Sequence, residues 1–316
     1  MTRTDFDCFI VVRNPKSTNA RNTERRIAEI RASVPEAEVI VVETSPKGYN
    51  ANKQLLRGYA DKLGKHTLVC IAAGDGTINS VIEGLLSDPE LPDAARHTPI
   101  LPLWCGNAND LAHMLNGKSY RTRIATLLER GQIVKVYPLS CTLETAGKTA
   151  TRHAACYTSF GASAYTTQAL GRAIRQQTLF HRWPLGRLMH EFGIVISAMR
   201  KAPVFRATQN NRELTIFECI FFNGPRFAKV MGVRRRLTDK NFHMAIVERK
   251  RFSDVIISIF KLSRRNSVAL TATQAQFTAL DSTWAQFDGE AVEIPAGTTV
   301  HLSVARRPFY ALATKQ

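Results

Sequence analysis

Three turns in the first third of the sequence are rich in short amide or hydroxyl side chains, and two of them add glycine and an acid, a combination suited to handling a phosphorylated ligand. The clearest is Ala73-Gly74-Asp75-Gly76-Thr77-Ile78-Asn79, between a strand-like and a helix-like run. Its glycines open backbone conformations closed to other residues and let peptide amides approach a phosphate. Thr77 is expected to cap the following helix, whose positive end would face that phosphate. Asp75 adds a carboxylate beside it, which suits a bound Mg²⁺ or a substrate hydroxyl. A tight strand-to-helix turn with a good cap is the bland reading of the same residues. Cys105-Gly106-Asn107-Ala108-Asn109-Asp110 repeats the design, although Asn109 and Asp110 taken alone read as helix caps. Asn14-Pro15-Lys16-Ser17-Thr18 again joins a strand to a helix and is rich in hydroxyl and amide groups. Such loops on one edge of one sheet carry more weight together than singly.

The elements that must position these turns alternate through the first 135 residues. Strand-like runs at Phe6–Arg13, Glu38–Glu43, Thr67–Ala72 and Thr98–Leu103 are separated by helix-like runs at Arg21–Val34, Asn50–Leu63, from Ile78, and at Asn109–Leu115. Continuous apolar strands in a βαβ order predict a parallel sheet covered on both faces, with ligands at the carboxyl ends of the strands. From about Val134 the texture changes to strand-like runs punctuated by Gly, Asn and Pro: VKVYPLSCTLE, HAACYTSF, ELTIFECIFFN, HMAIVER, QAQFTAL, AVEIP and TVHLSVA. These predict an antiparallel sandwich or barrel. It is interrupted by a basic helical segment at 165–201 and an amphipathic helix at Ser253–Arg264. The expected organisation is an α/β domain over 1–135, completed by 305–316, and a β-sandwich domain over 136–304.

The chain of 316 residues is 44% hydrophobic and 22% charged, an ordinary globular composition that disfavours disorder, a collagen-like repeat and a disulfide-dense scaffold. No apolar stretch is long enough to span a bilayer, and the opening MTRTDFDCFIVV is acidic where a signal peptide needs a basic start. The expected location is cytoplasmic. The six cysteines and eight histidines lack the spacings of a zinc site or redox pair, so they read as buried thiols and as histidines without a dedicated metal. The net charge of +17 is unevenly placed. From Ala164 to Arg265 there are 20 Lys+Arg against 6 Asp+Glu, a surplus of 14, so this region's partner is expected to be anionic.

The NPKS loop, the AGDGTINSVIEGL segment, the GNANDLA segment and the late Phe287-Asp288-Gly289-Glu290, in this order, resemble the diacylglycerol kinase catalytic-domain family, which includes sphingosine kinases and bacterial soluble lipid kinases. The likeness spans nearly the whole chain. It implies an α/β nucleotide-binding domain of the NAD kinase and diacylglycerol kinase type, a β-sandwich lipid domain, ATP with Mg²⁺, and transfer of the γ-phosphate to a diacylglycerol-like or sphingoid-like hydroxyl. It further implies Asn14, Ser17 and Thr44 near the nucleotide, Gly74, Asp75, Gly76 and Thr77 at the phosphates, and Gly106, Asn109 and Asp110 on the opposite wall. Asp288 and Glu290 would supply metal-linked carboxylates, with the general base among Asp75, Asp288 and Glu290. An isolated D-G-E between strands reads as a hairpin turn; beside the other motifs it reads as functional. The sequence departs from the family pattern at Ala73, Ser80, Trp104, Cys105 and Asn107, and Lys240 follows Asp239 where the family often has glycine at a further metal site.

The basic helical segment interleaves Arg172, Arg175, Arg182, Arg187 and Arg200 with apolar residues around Trp183. Such a segment suits peripheral contact with an anionic membrane surface, through Arg172, Arg175, Arg182, Trp183 and Arg187. A helical hairpin packed on the sandwich with a solvated charged face is the plain alternative. Two other functions compete. A kinase of the NAD kinase type shares the strand-GGDGT-helix turn, but its next motif has an N-x-G-x-x-G-F-L character that GNANDLA lacks. A nucleic-acid-binding protein would explain a pI near 10.0 while leaving the phosphate-style loops without purpose, and no nucleic acid partner is expected.

Overall fold

The computed structural model describes residues 6–15, 17, 20–106, 109–117, 123–175, 184–224, 226–227, 231–232, 237, 239–248 and 270–314. The element order begins β1 (Cys8–Arg13), α1 (Ala20–Ser33), β2 (Glu38–Glu43), α2 (Tyr49–Lys53), a 3₁₀ segment (Leu55–Lys62), β3 (Thr67–Ala72) and α3 (Asp75–Ser87). After a second 3₁₀ segment (Asp93–His97) come β4 (Pro99–Pro102), α4 (Asp110–Asn116), α5 (Ile124–Arg130), β5 (Gln132–Val136), β6 (Leu139–Thr145), β7 (Lys148–Ala154) and β8 (Tyr157–Gly161). Helices α6 (Ala162–Arg175) and α7 (Pro184–Lys201) precede β9 (Phe205–Gln209), β10 (Arg212–Phe222), β11 (Arg226–Phe227), β12 (Met231–Gly232) and β13 (Phe242–Glu248). The chain closes with β14 (Leu270–Ala272), β15 (Gln274–Ala279), β16 (Thr283–Phe287), β17 (Glu290–Ile294), β18 (Thr299–Val304) and β19 (Phe309–Ala313).

The chain divides into two compact units, one formed by Met1–Pro138, Gly224–Lys240 and Ala305–Gln316, the other by Leu139–Asn223 and Asn241–Val304. The first is an α/β unit built on a six-stranded sheet of order β2-β1-β3-β4-β19-β5. Strands β1 to β4 and β19 are parallel and β5 is antiparallel. β1, β3 and β4 are buried on both faces, as a parallel sheet under helices requires. On one face Phe9, Val11, Leu68 and Cys70 pack with Ile27 and Ile30 of α1 and Ile124 and Leu127 of α5. Alternate residues Ile10, Val12, Val69 and Ile71 are equally buried on the other. Gly224–Lys240 groups with this unit: Gly224 is set against the Met114 and Leu237 side chains so closely that a Cβ would stand 2.3 Å from the Met114 sulfur.

The run at Asn50–Leu63, expected as one helix, breaks after Lys53 and continues as a 3₁₀ segment with Tyr59 outside helical geometry. Exposed Gly58 weakens the α-form. Tertiary contact does the rest: Arg57 lies in a bidentate pair with buried Asp88, Nε to Oδ2 at 2.7 Å and Nη2 to Oδ1 at 2.9 Å.

The second unit is antiparallel. Its strands follow one hydrogen-bonded path, β17-β16-β8-β10-β9-β15-β18-β6-β7, with β13 and β14 beside β10. The path curls round a single core, since residues from both of its ends, Ile294 and Ala154, join Phe160, Phe205, Phe221, Phe242, Phe277 and Phe287 there. Edge-to-face pairs such as Phe160–Phe277, centroids 5.1 Å apart, fill it. Paired positive-φ residues Ala146-Gly147, Asn210-Asn211 and Asp288-Gly289 turn three tight hairpins. The basic helical segment resolves into α6 and α7, while Ser253–Arg264 lies outside the described residues. All six cysteines are free and buried.

Candidate functional site

Because β1 to β4 run parallel, the segments that follow them leave the sheet at one edge. Asn14 donates its amide to the Ala72 carbonyl (3.4 Å), Thr44 to Arg13 (2.9 Å) and Leu103 to Ile71 (2.9 Å), so each loop begins from a neighbouring strand. The Ser17 amide donates to the Asn14 carbonyl at 3.0 Å, closing a turn, and its hydroxyl donates to the Cys105 carbonyl. Asn22 of α1 donates Nδ2 to the Trp104 carbonyl at 2.5 Å. The loop after β4 is therefore held by the loop and helix after β1. Sequence reasoning passed over Asn22, which carries no signal beyond its place in the first helix.

The loops after β3 and β4 touch through their glycines. A Cβ on Gly106 would stand 2.4 Å from the Gly74 Cα and 3.2 Å from the Ala73 carbonyl, a contact no other residue could make. Gly74 differs: its φ of −81° and ψ of 170° suit any residue, and among the described residues a Cβ there would meet nothing nearer than the Gly106 Cα at 3.8 Å. The fold does not need a glycine at 74.

Helix α3 begins at Asp75 with Gly74 as its N-cap, earlier than the expected start at Ile78. Thr77, expected as the cap, instead lies in the first turn, where its carbonyl accepts the Ser80 hydroxyl at 2.8 Å. No side chain at the N-cap serves the first amides of this helix. Gly76 also lies in that first turn, and both it and Thr77 are half-buried.

Asp75 points across to α4. Its Oδ2 accepts the Asn109 amide at 2.8 Å and its Oδ1 accepts the Asp110 amide at 3.0 Å, so it caps a helix on another segment of the chain. Burial and the neighbouring Asp110 charge raise its pKa to about 7, against the lowering effect of the amides of Asn109, Asp110 and Leu111. A carboxyl balanced near neutrality can both take and release a proton. Asn109 is buried in the left-handed region at φ 54°. Both ends of its side-chain amide are engaged by Gly106, Oδ1 accepting the Gly106 amide and Nδ2 donating to the Gly106 carbonyl, each at 2.8 Å. Asn109 thus shapes the loop that Asp75 caps, and Asp110 is buried in the first turn of α4. Asn14, Ser17 and Thr44 are half-buried at the same edge.

Asp288 and Glu290 belong to the second unit. Asp288 and Gly289 form the two-residue turn of the β16–β17 hairpin, φ 47° and 89°, with Phe287 paired to Glu290. The hairpin reading of D-G-E is therefore the geometry observed. The Asp288 carboxylate is buried and accepts three consecutive amides, from Ala155 (2.5 Å), Cys156 (2.9 Å) and Tyr157 (2.9 Å). Glu290 opens β17 and is half-buried. Nearby in the same unit a polar seam runs beneath α6. Glu218 of β10 accepts the Ser163 amide (2.5 Å) and hydroxyl (2.7 Å), and Gln286 bonds Ser159, Ser163 and Thr167. Burial pushes Glu218 up to about 8, against the Ser163 and Ser159 hydrogen bonds. Spacing gave no sign of this seam, because its members meet only when β8, β10 and β16 pair.

Among the described residues, no group of three or more His, Cys, Asp or Glu side chains could hold a metal ion. The described donors thus form no preformed cage; a cation that arrives on phosphate oxygens needs only one or two protein carboxylates. Arg172 is exposed on α6; Arg175 and Arg187 lie on α6 and α7, and Arg182 and Trp183 fall outside the described residues. Among the described residues no helix is long and apolar enough to cross a membrane.

Residues 8–141, which contain the touching loops and Asp75, match the family model of the diacylglycerol kinase catalytic domain. The segment is similar to diacylglycerol kinase catalytic domains. The match supports a kinase, an enzyme of phosphoryl transfer. The fold agrees over the full length. A protein from Bacillus anthracis str. Sterne assigned as a diacylglycerol kinase is 15% identical, with a TM-score of 0.65, over 98% of this chain and 97% of that one. A second such structure from the same organism is 14% identical at a TM-score of 0.64, over 99% and 100%. No curated protein matches the chain.

Proposed function

We propose that the protein is an ATP-dependent lipid kinase that passes the γ-phosphate to the hydroxyl of a diacylglycerol-like or sphingoid-like lipid at an anionic membrane surface. The observation that carries the reading is Gly74. Its backbone is ordinary and the space around it open, so what a side chain there would obstruct is the approach of a ligand to the Gly74–Thr77 amides. Gly106, Asn109 and Asp110 frame the same loop pair, with Asn14, Ser17 and Thr44 beside it.

Phosphoryl transfer asks for alignment and charge stabilisation more than covalent chemistry. In the proposed reaction the lipid hydroxyl oxygen bonds to the γ-phosphorus, the bond to the β–γ bridging oxygen breaks, ADP leaves, and the hydroxyl proton passes to a protein carboxylate. Asp75, near neutrality and partly exposed, supports that last role. Bound Mg²⁺ would neutralise charge on the phosphates, and Glu290 is proposed as a carboxylate ligand to it. The basic residues of α6 and α7 are proposed to meet anionic headgroups, each cation adding about 1 kcal/mol near the surface.

A transfer assay with γ-labelled ATP over a panel of lipid alcohols in mixed micelles tests the reading, with Asp75→Ala as the blank. Label in the lipid fraction that depends on the wild-type chain supports it. Label in NAD without lipid, or salt-dependent nucleic-acid binding with no turnover, contradicts it.

A further inference from the structure

We infer that Asp288 is a positioning residue: with Asn223 it clasps the Ala155–Tyr157 segment and thereby sets where Glu290 stands. The three amides of that segment all donate to the Asp288 carboxylate, at 2.5 to 2.9 Å. Its carbonyls are taken from the same two residues. Asn223 donates Nδ2 to Ala155 (2.8 Å) and its amide to Cys156 (2.8 Å), while the Asp288 amide donates to Tyr157 (3.2 Å). All six backbone polar groups of Ala155, Cys156 and Tyr157 are accounted for by Asp288 and Asn223, and both side chains are buried, at 2% and 0% exposure.

Local structure explains why a clasp is needed. The strand-like run HAACYTSF does not stay one strand: β7 ends at Ala154 and β8 starts at Tyr157, leaving a buried step with no ladder partner of its own. Buried peptide groups without partners are costly, so some side chain must serve them. A carboxylate has about four acceptor sites, and here three go to backbone amides. A carboxylate so committed, and only 2% exposed, is well placed to hold the Asp288-Gly289 turn against the step. Glu290, two residues on, follows from that turn. The link to Glu290's work rests on the proposed kinase reading; the clasp does not.

The test compares Asp288→Asn, Asn223→Ala and the double variant in the full chain, with Phe205→Leu as a core control. Hydrogen exchange is read on the peptide spanning 155–157, together with transfer rate against Mg²⁺ concentration. The clasp predicts that each single variant speeds exchange there roughly tenfold, the size of one lost buried hydrogen bond, and that the double variant gains less than the product of the two. It predicts that Asp288→Asn and Asn223→Ala raise the half-saturating Mg²⁺ concentration by similar factors, and that Phe205→Leu leaves it unchanged. Unchanged exchange in Asp288→Asn, or lost transfer in Asp288→Asn beside a near-normal Asn223→Ala, overturns the inference. A wild-type chain without transfer would defeat the kinase reading and leave exchange to decide the clasp.

Discussion

Gly106 packs its backbone on that of Gly74 so tightly that a methyl group on Gly106 would stand 2.4 Å from the Gly74 Cα, whereas one on Gly74 would find, among the described residues, only the Gly106 Cα, at 3.8 Å. The two glycines of one contact therefore have different reasons to be glycine. At 106 the fold demands it; at 74 it does not.

Gly106→Ala is accordingly expected to damage the folded state. The added carbon meets backbone that has no flexible side chain to yield, and a loss of about 1–3 kcal/mol is expected, the usual cost of overpacking. Thermal or urea unfolding of the variant measures it. Stability equal to wild type would mean the two loops are not in contact.

Asp75 joins α3 to the start of α4, and its pKa near 7 makes two expectations separable. If its carboxylate accepts the substrate proton, transfer per enzyme at low substrate rises with pH and levels off above about 7, because only the ionised form can act. Asp75→Asn should remove that rise and lower the rate by about 10²- to 10⁴-fold, the range for a general base. Retained pH dependence in the variant would assign the titration to another group.

The Glu218 carboxyl, raised to about 8 by burial, couples stability to pH. Its folded-state pKa exceeds the ordinary 4.5, so between about 4.5 and 8 the folded chain holds a proton that the unfolded chain has released. Stability contributed by this group therefore declines as pH rises through that window and is level above it. Glu218→Gln should flatten the decline while keeping an oxygen to accept from Ser163, and should be relatively more stable at pH 8 than at pH 5. Unfolding curves at several pH values check this; an unaltered slope would contradict it.

Much of the first unit was legible because local and global signals agree there. β2 and β3 have the bounds that their apolar runs predict, and β3, buried throughout in a parallel sheet, needs little beyond continuous hydrophobicity. α5 escaped notice because a helix of seven residues has too few turns for periodicity to speak. The place of β19, between β4 and β5, depends on pairing across most of the chain. The same limit applies at the site. The glycine turns declared themselves by composition, but what Asp75 and Asp288 hold became visible only in three dimensions. Their partners, amides of Asn109 and Asp110 in one case and of Ala155 to Tyr157 in the other, carry no side-chain signature. Two acids that composition marks for chemistry thus each also hold a distant stretch of backbone.

The most direct measurement is ATP affinity of Gly74→Ala by calorimetry, alongside its unfolding midpoint. The account predicts a midpoint within about 1 °C of wild type, because the added methyl meets no close neighbour and the backbone angles suit alanine, together with nucleotide binding weakened by at least about tenfold as the methyl stands where phosphate must approach. Undiminished ATP affinity in a stable Gly74→Ala chain would contradict the claim that this loop receives the phosphates.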